Sequence, residues 1–271
     1  MSRIQTVFAK LKGQRCALIS FITGGDPTLS ATVPLMHAMV RAGADLLEVG
    51  MPFSDPMADG PVIQMGHQRA LSSGTTTRAV LQMVAEFRRE DVVTPVILMG
   101  YVNPVETMGY AAFARSSREA GVDGAILVDL PPEEAYEWRI QAQACGLDTI
   151  FLLAPTTTVA RIGLISAASS GFLYYVALKG VTGAGHLNIE DVAAKLALVR
   201  ATTNLPVGVG FGIRDAESAA RLGRFADAVI VGSAIVERMA KATTPHQAIL
   251  DVEAFVRDLR AALPVRGADV A

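Results

Sequence analysis

The chain has 271 residues, 51% of them hydrophobic and only 18% charged, a balance that excludes a disordered or coiled-coil protein. Lys and Arg number 24 against 26 Asp and Glu, so the net charge of −2 gives no global field for nucleic acid or anionic lipid, and an anionic ligand has to be held locally. Two cysteines, Cys16 and Cys145, lie far apart and in no CxxC pair, which argues against a disulfide framework or a zinc site and points to the reduced cytosol.

The opening segment MSRIQTVFAKLKGQRCAL is amphipathic. Lys10, Lys12, Gln14 and Arg15 interrupt its apolar residues, which predicts a short N-terminal helix and leaves no signal-peptide core. A strand candidate, CALISFI, starts at Cys16. One unit then recurs four times: a helical segment ends in Gly, an Asp follows within a few residues, and a β-branched or Leu-rich run comes next. It is found at Gly43 to Asp45 before LLEVG, Gly121 to Asp123 before GAILVDL, Gly146 to Asp148 before TIFLLAP, and Gly223 to Asp227 before AVIVGS. Glycine after a helix permits a left-handed cap, and the runs lack polar alternation, as expected for strands buried on both faces.

PVILMGY from Pro95, FLYYVAL from Phe172 and PVGVGF from Pro206 bring the strand candidates to eight. Helical stretches at 78–89, 133–145, 191–202, 215–222 and 246–263 lie between or after them. Such alternation implies parallel pairing by crossover, and eight units favour ring closure over an open sheet. The expected fold is α/β, a single (β/α)₈ TIM barrel over residues 1–271 whose polar end, 265–271, frays. No apolar run approaches the roughly 20 residues of a membrane span. In such a barrel the chemistry belongs at the C-terminal ends of the strands.

Glu48 interrupts the second strand run, where a carboxylate is partly desolvated and its pKa rises unless a cation or donor compensates. A carboxyl tuned in this way serves as both acid and base near neutral pH. The same pattern fits a Glu that only bonds loop amides at the strand end. The loop that follows, MPFSDPMADGPVIQ, is long for a βα connection. Asp55 and Asp59 suit Asx turns beside Pro56 and Gly60, and a loop folded back across the barrel mouth would instead bring Asp59 to Glu48.

Three glycine-bearing loops, GVTGAG, GFGI and GSA, follow the last three strands. Gly183, Gly212 and Gly232 would expose backbone N–H groups, and Ser233 would open a short helix whose N-terminus favours an anion. Phosphate sites in barrels recur there, although the glycines equally suit tight turns. No Walker ending and no GxGxxG after the first strand indicates a nucleotide. His37, His67, His186 and His246 lack metal-ligand spacing and read as surface or helix-packing residues, and Lys179 reads as a loop lysine.

The segment EVGMPFSDPMADGPVIQ, Glu48 to Gln64, resembles the signature of tryptophan synthase alpha subunits. FITGGDP, LMGYVNP, LVDLPPEE, GVTGAG, GFGI and GSAIV continue the likeness in family order over nearly the whole chain. The resemblance implies that Glu48 and Asp59 are the catalytic pair of a carbon–carbon lyase that cleaves indole-3-glycerol phosphate, with Glu48 the acid/base and Asp59 facing the indole N–H. It places Phe21, Met99, Asp129 and Tyr174 around the indole, with Gly24 and Gly100 where relatives often carry larger residues. It also implies a cytoplasmic α₂β₂ assembly in which Pro52, Asp55 and Thr182 lie toward a beta subunit. Pyridoxal phosphate then belongs to that partner, with no cofactor or metal in this chain. A stand-alone lyase, a catalytically idle regulatory subunit and another phosphate-binding barrel are the rival readings. Retention of both Glu48 and Asp59 opposes the idle one.

Overall fold

The computed structural model describes residues 1–177, 189–210 and 212–265. Nine parallel strands form its sheet: β1 (Ala17–Thr23), β2 (Leu46–Gly50), β3 (Val96–Gly100), β4 (Gly124–Leu127), β5 (Asp148–Thr149), β6 (Leu152–Leu153), β7 (Leu173–Val176), β8 (Val207–Gly210) and β9 (Ala228–Val231). Their order is β5-β4-β3-β2-β1-β9-β8-β7-β6. The two ends of that order, β5 and β6, are neighbours in the chain, so the sheet curls back on itself as a barrel.

The single fifth strand expected from TIFLLAP is therefore two short ones. Thr149 donates its N–H to Ser170 Oγ at 2.9 Å and accepts from Ser170 N–H at 2.8 Å, which interrupts the ladder. Ile150 N–H still reaches Ala125 O at 3.1 Å, and Phe151 O accepts from Tyr174 N–H at 3.1 Å. One stretch of chain thus changes partner, from β4 to β7.

Twelve α-helices surround the sheet among the described residues. The helices that concern the site are α1 (Arg3–Leu11), α3 (Pro61–Ser72), α5 (Val102–Met108) and α11 (Ser233–Lys241). The predicted helices fall at Thr77–Phe87, Tyr136–Ala144, Ile189–Thr202, Ala216–Gly223 and Pro245–Ala262. Ser2 caps α1 in a reciprocal box with Gln5, and Ile4, Phe8 and Leu11 are buried with Ile19, Leu46, Ile97, Ile126 and Phe172. The helix closes the floor of the barrel with its apolar face. Alternate strand residues such as Leu18, Leu47, Leu98 and Val229 pack outward in the larger core. Strands buried on both faces need apolar residues in both registers, hence the unalternating sequence runs.

The recurring Asp also has a structural use. Asp45 Oδ2 accepts Leu18 N–H at 2.9 Å, Asp123 Oδ2 accepts Val96 N–H at 2.8 Å, and Asp227 Oδ2 accepts Val207 N–H at 3.0 Å. Each carboxylate ties the start of its own strand to a neighbouring strand at the N-terminal end of the barrel. Arginines balance the charge: Arg15 on Asp45, Arg88 and Arg3 on Asp123, Arg200 on Asp227. Gly43 and Gly121 have the left-handed backbone expected after a helix, with φ of 103° and 86°. Gly223 does not. It is required by packing, since a Cβ there would lie 2.8 Å from Leu263 Cδ2. Val265, expected in the frayed end, forms an antiparallel bridge with Arg15, and 266–271 lie outside the described residues.

Candidate functional site

Glu48 occupies an inward position of β2, aligned with Phe21 of β1 and Ile97 of β3. Its side chain is fully buried, and neither carboxyl oxygen has a hydrogen-bond partner among the described residues. This opposes a Glu that merely bonds loop amides. Burial disfavours the charged form and pushes the carboxyl up to about 8, so the group is predominantly a neutral acid at pH 7.

The loop after β2 folds back over the mouth. Met51 N–H extends the ladder to Met99 O at 2.8 Å, and Phe53 N–H is accepted by His67 Nδ1 at 3.0 Å. The Tyr101 hydroxyl accepts Ala58 N–H at 3.0 Å and donates to Asp59 Oδ2 at 2.8 Å. Asp59 thereby reaches the same pocket as Glu48, a return that the sequence left open.

That pocket, about 520 Å³ including its open mouth, is lined by Phe21, Glu48, Asp59, Ile63, Met99, Tyr174, Gly212, Ile213, Ile230, Gly232 and Ser233. A smaller lobe shares Phe21, Asp59 and Met99 and adds Gly50, His67, Gly100, Tyr101 and Val128. The carboxyls thus meet apolar walls. Tyr174 is buried in β7, and burial first, then the charges of Glu48 and Asp59, hold its phenol well above the ordinary range. Gly210 makes room for it, because a Cβ there would overlap the phenol ring and hydroxyl. Gly24 closes against Val80 and Gly50 O, and Gly100 against Met51, so larger residues at either would shift these neighbours.

At the other side of the pocket, α11 begins at Ser233 with Gly232 as its N-cap and no side-chain cap. The helix N-terminus therefore directs backbone donors at the cavity, with Gly212 beside it in the left-handed conformation at φ 82°. Gly183 and Thr182 lie outside the described residues, as do Lys179 and His186. Asp129 is not among the lining residues. Its Oδ1 accepts Val102 N–H at 2.8 Å and holds the start of α5, immediately after Tyr101. Asp55 is exposed on the loop, whereas Pro52 is buried beneath it and offers a partner little surface.

Sequence reasoning missed Tyr101; of the two roles it left open for His67, surface or helix packing, the structure shows the second, with the imidazole buried. Two regularities carried the information. Tyr101 continues the inward series Ile97, Met99, and His67 shares the buried face of α3 with Ile63, Gly66 and Ala70 at helical spacing. A larger groove lies at the opposite end of the barrel, lined by Lys12, Arg15 and Arg200 among others, and of these Arg15 and Arg200 are already bonded to Asp45 and Phe225 O. Among the described residues no cluster of His, Cys, Asp or Glu is arranged to hold a metal ion, and no helix is long and apolar enough to cross a membrane.

Fold and pocket together define an enzyme of the parallel-barrel class with a carboxyl-bearing site at the C-terminal mouth. The family model for the tryptophan synthase alpha chain matches residues 8–264. A tryptophan synthase alpha chain from Azoarcus sp. (strain BH72) is 56% identical over 264 residues, 97% of each chain. One from Nitrosococcus oceani is 56% identical over 265 residues, covering 97% of this chain and 98% of the relative. The crystal structure of the alpha subunit from Legionella pneumophila str. Paris superposes with a TM-score of 0.89 at 44% identity, covering 97% of this chain and 98% of that one. The chain belongs to the tryptophan synthase alpha chain family, a lyase family of tryptophan biosynthesis.

Proposed function

We propose that the chain, acting as one catalytic domain, cleaves indole-3-glycerol phosphate to indole and glyceraldehyde 3-phosphate. The observation that carries this reading is the buried, unpartnered carboxyl of Glu48 facing the same pocket as Asp59. With its carboxyl held up to about 8, Glu48 starts as the acid and protonates indole C3. The cation so formed has its charge at the ring nitrogen, where Asp59 stabilises it. The bond from C3 to the side chain then breaks and its electron pair restores the aromatic ring. The side-chain hydroxyl becomes the aldehyde and returns its proton to Glu48, so the acid is regenerated and the electrons need no other acceptor.

Phe21, Met99, Ile63 and Ile230 provide the apolar walls for the indole, with Tyr174 beside the reacting carbon. Gly212, Gly232 and Ser233, with Gly183, take the phosphate at the head of α11. The partner is the beta subunit in an α₂β₂ assembly in the cytoplasm. Pyridoxal phosphate belongs to that partner, whose contact surface on this chain includes the exposed Asp55, with Thr182 assigned to it by the family resemblance alone. Purified chain assayed on indole-3-glycerol phosphate, with and without beta subunit, tests the reading. Slow cleavage that the partner strongly accelerates is expected. No cleavage under either condition refutes the reading, and equal rates in both refute the partnership.

A further inference from the structure

We infer that His67 is a positioning residue for Asp59, fixing which carboxylate oxygen meets the substrate. The inference rests on the proposed role of Asp59. Phe53 N–H points at His67 Nδ1 at 3.0 Å, so Nδ1 is the acceptor, and in the neutral ring the proton sits on Nε2. Nε2 lies 3.4 Å from Asp59 Oδ2, the oxygen that also accepts from the Tyr101 hydroxyl at 2.8 Å. The Tyr101 hydroxyl bonds Oδ2, and the imidazole Nε2, from a different element, stands next to the same oxygen. No donor among the described residues bonds Oδ1, which is left for an indole N–H.

The support behind this contact is rigid. His67 is buried on α3, and Arg69, two residues on, grips the buried Asp26 through two bonds of 2.7 and 2.8 Å. The Tyr101 ring lies edge-on to the imidazole at 6.5 Å and stacks on Phe53 at 5.2 Å. The imidazole therefore joins helix, loop backbone and carboxylate in one unit. A carboxylate held by one donor rotates about its terminal torsion, which is broad, whereas two donors in different directions hold its plane. Contacts of this kind are commonly long in the free enzyme and tighten around substrate.

Three measurements on the full chain test the proposal. In ¹⁵N NMR, the His67 ring shows the Nε2–H tautomer, and its Nε2 resonance moves in Asp59→Asn. In steady-state cleavage, His67→Phe lowers kcat about tenfold or more with KM little changed, the order expected for a lost hydrogen bond to a charged group. His67→Gln, which restores a donor near Nε2, recovers much of that loss. In Asp59→Asn, the added His67→Phe costs no more, because its target is already gone. The Nδ1–H tautomer, an Nε2 resonance blind to Asp59→Asn, or an equal cost of His67→Phe in both backgrounds overturns the proposal. If His67→Phe fails to fold, the NMR comparison decides it on the native ring. If wild-type chain does not turn over indole-3-glycerol phosphate, the functional reading fails while the NMR result still judges the contact.

Discussion

Glu48→Gln separates what the buried carboxyl does for catalysis from what it costs the fold. A carboxyl whose folded-state pKa lies above its unfolded value binds more protons folded than unfolded between the two, so stability falls as pH rises through that window. For Glu48 the window runs from the ordinary 4.5 to about 8. Each pH unit above the lower bound costs about 1.4 kcal/mol, so by pH 7 wild type has lost about 3 kcal/mol relative to pH 4.5. Glutamine keeps the size and polarity without a titrating proton, and Glu48→Gln escapes this penalty. Urea unfolding of both proteins from pH 4.5 to 8.5 measures it: the difference in unfolding free energy moves toward the variant with rising pH and levels off near pH 8. The same variant loses cleavage by about 10²–10⁴-fold, the usual worth of a positioned proton donor. A stability difference that does not change with pH would show that Glu48 is ionised in the folded protein and would refute the acid role.

Ser233→Asp adds negative charge at the N-terminus of α11 and should weaken phosphorylated substrate while leaving indole binding intact. Titration with both ligands checks it, and equal weakening means general damage. Gly212→Asp is the poorer probe because the left-handed backbone there strains any side chain. Gly210→Ala forces the Tyr174 phenol out of place and should cost about 1–3 kcal/mol of stability together with activity, read by urea unfolding and cleavage rate. An unaltered midpoint would contradict the packing described. Asp55→Ala, on the exposed loop, should leave intrinsic cleavage near normal and reduce stimulation by the beta subunit. Loss of intrinsic activity equal to the loss of stimulation would move Asp55 into the chemistry.

The sequence by itself determined the alternation of strands and helices and the anomaly of Glu48. Both are local facts: a β-branched run ended by Gly and Asp prefers one conformation wherever it lies, and a carboxyl inside an apolar strand is conspicuous without its neighbours. The start of α11 at Ser233 was legible for the same reason. Tertiary structure decided the rest. Asp59 is a turn residue by its neighbours, and it reaches the site because Tyr101, 42 residues further on, sits one pleat beyond Met99 and donates to it. His67 looks like any helix-packing histidine until Phe53 and Asp59 are placed on its two nitrogens. The fifth strand splits because Ser170 takes the Thr149 N–H, and Asp129 caps a helix instead of lining the pocket because Val102 offers an unpaired donor. Each of these depends on a contact between residues that are not sequence neighbours, from the 14 residues between Phe53 and His67 to the 42 between Asp59 and Tyr101, and only the folded chain brings them within reach.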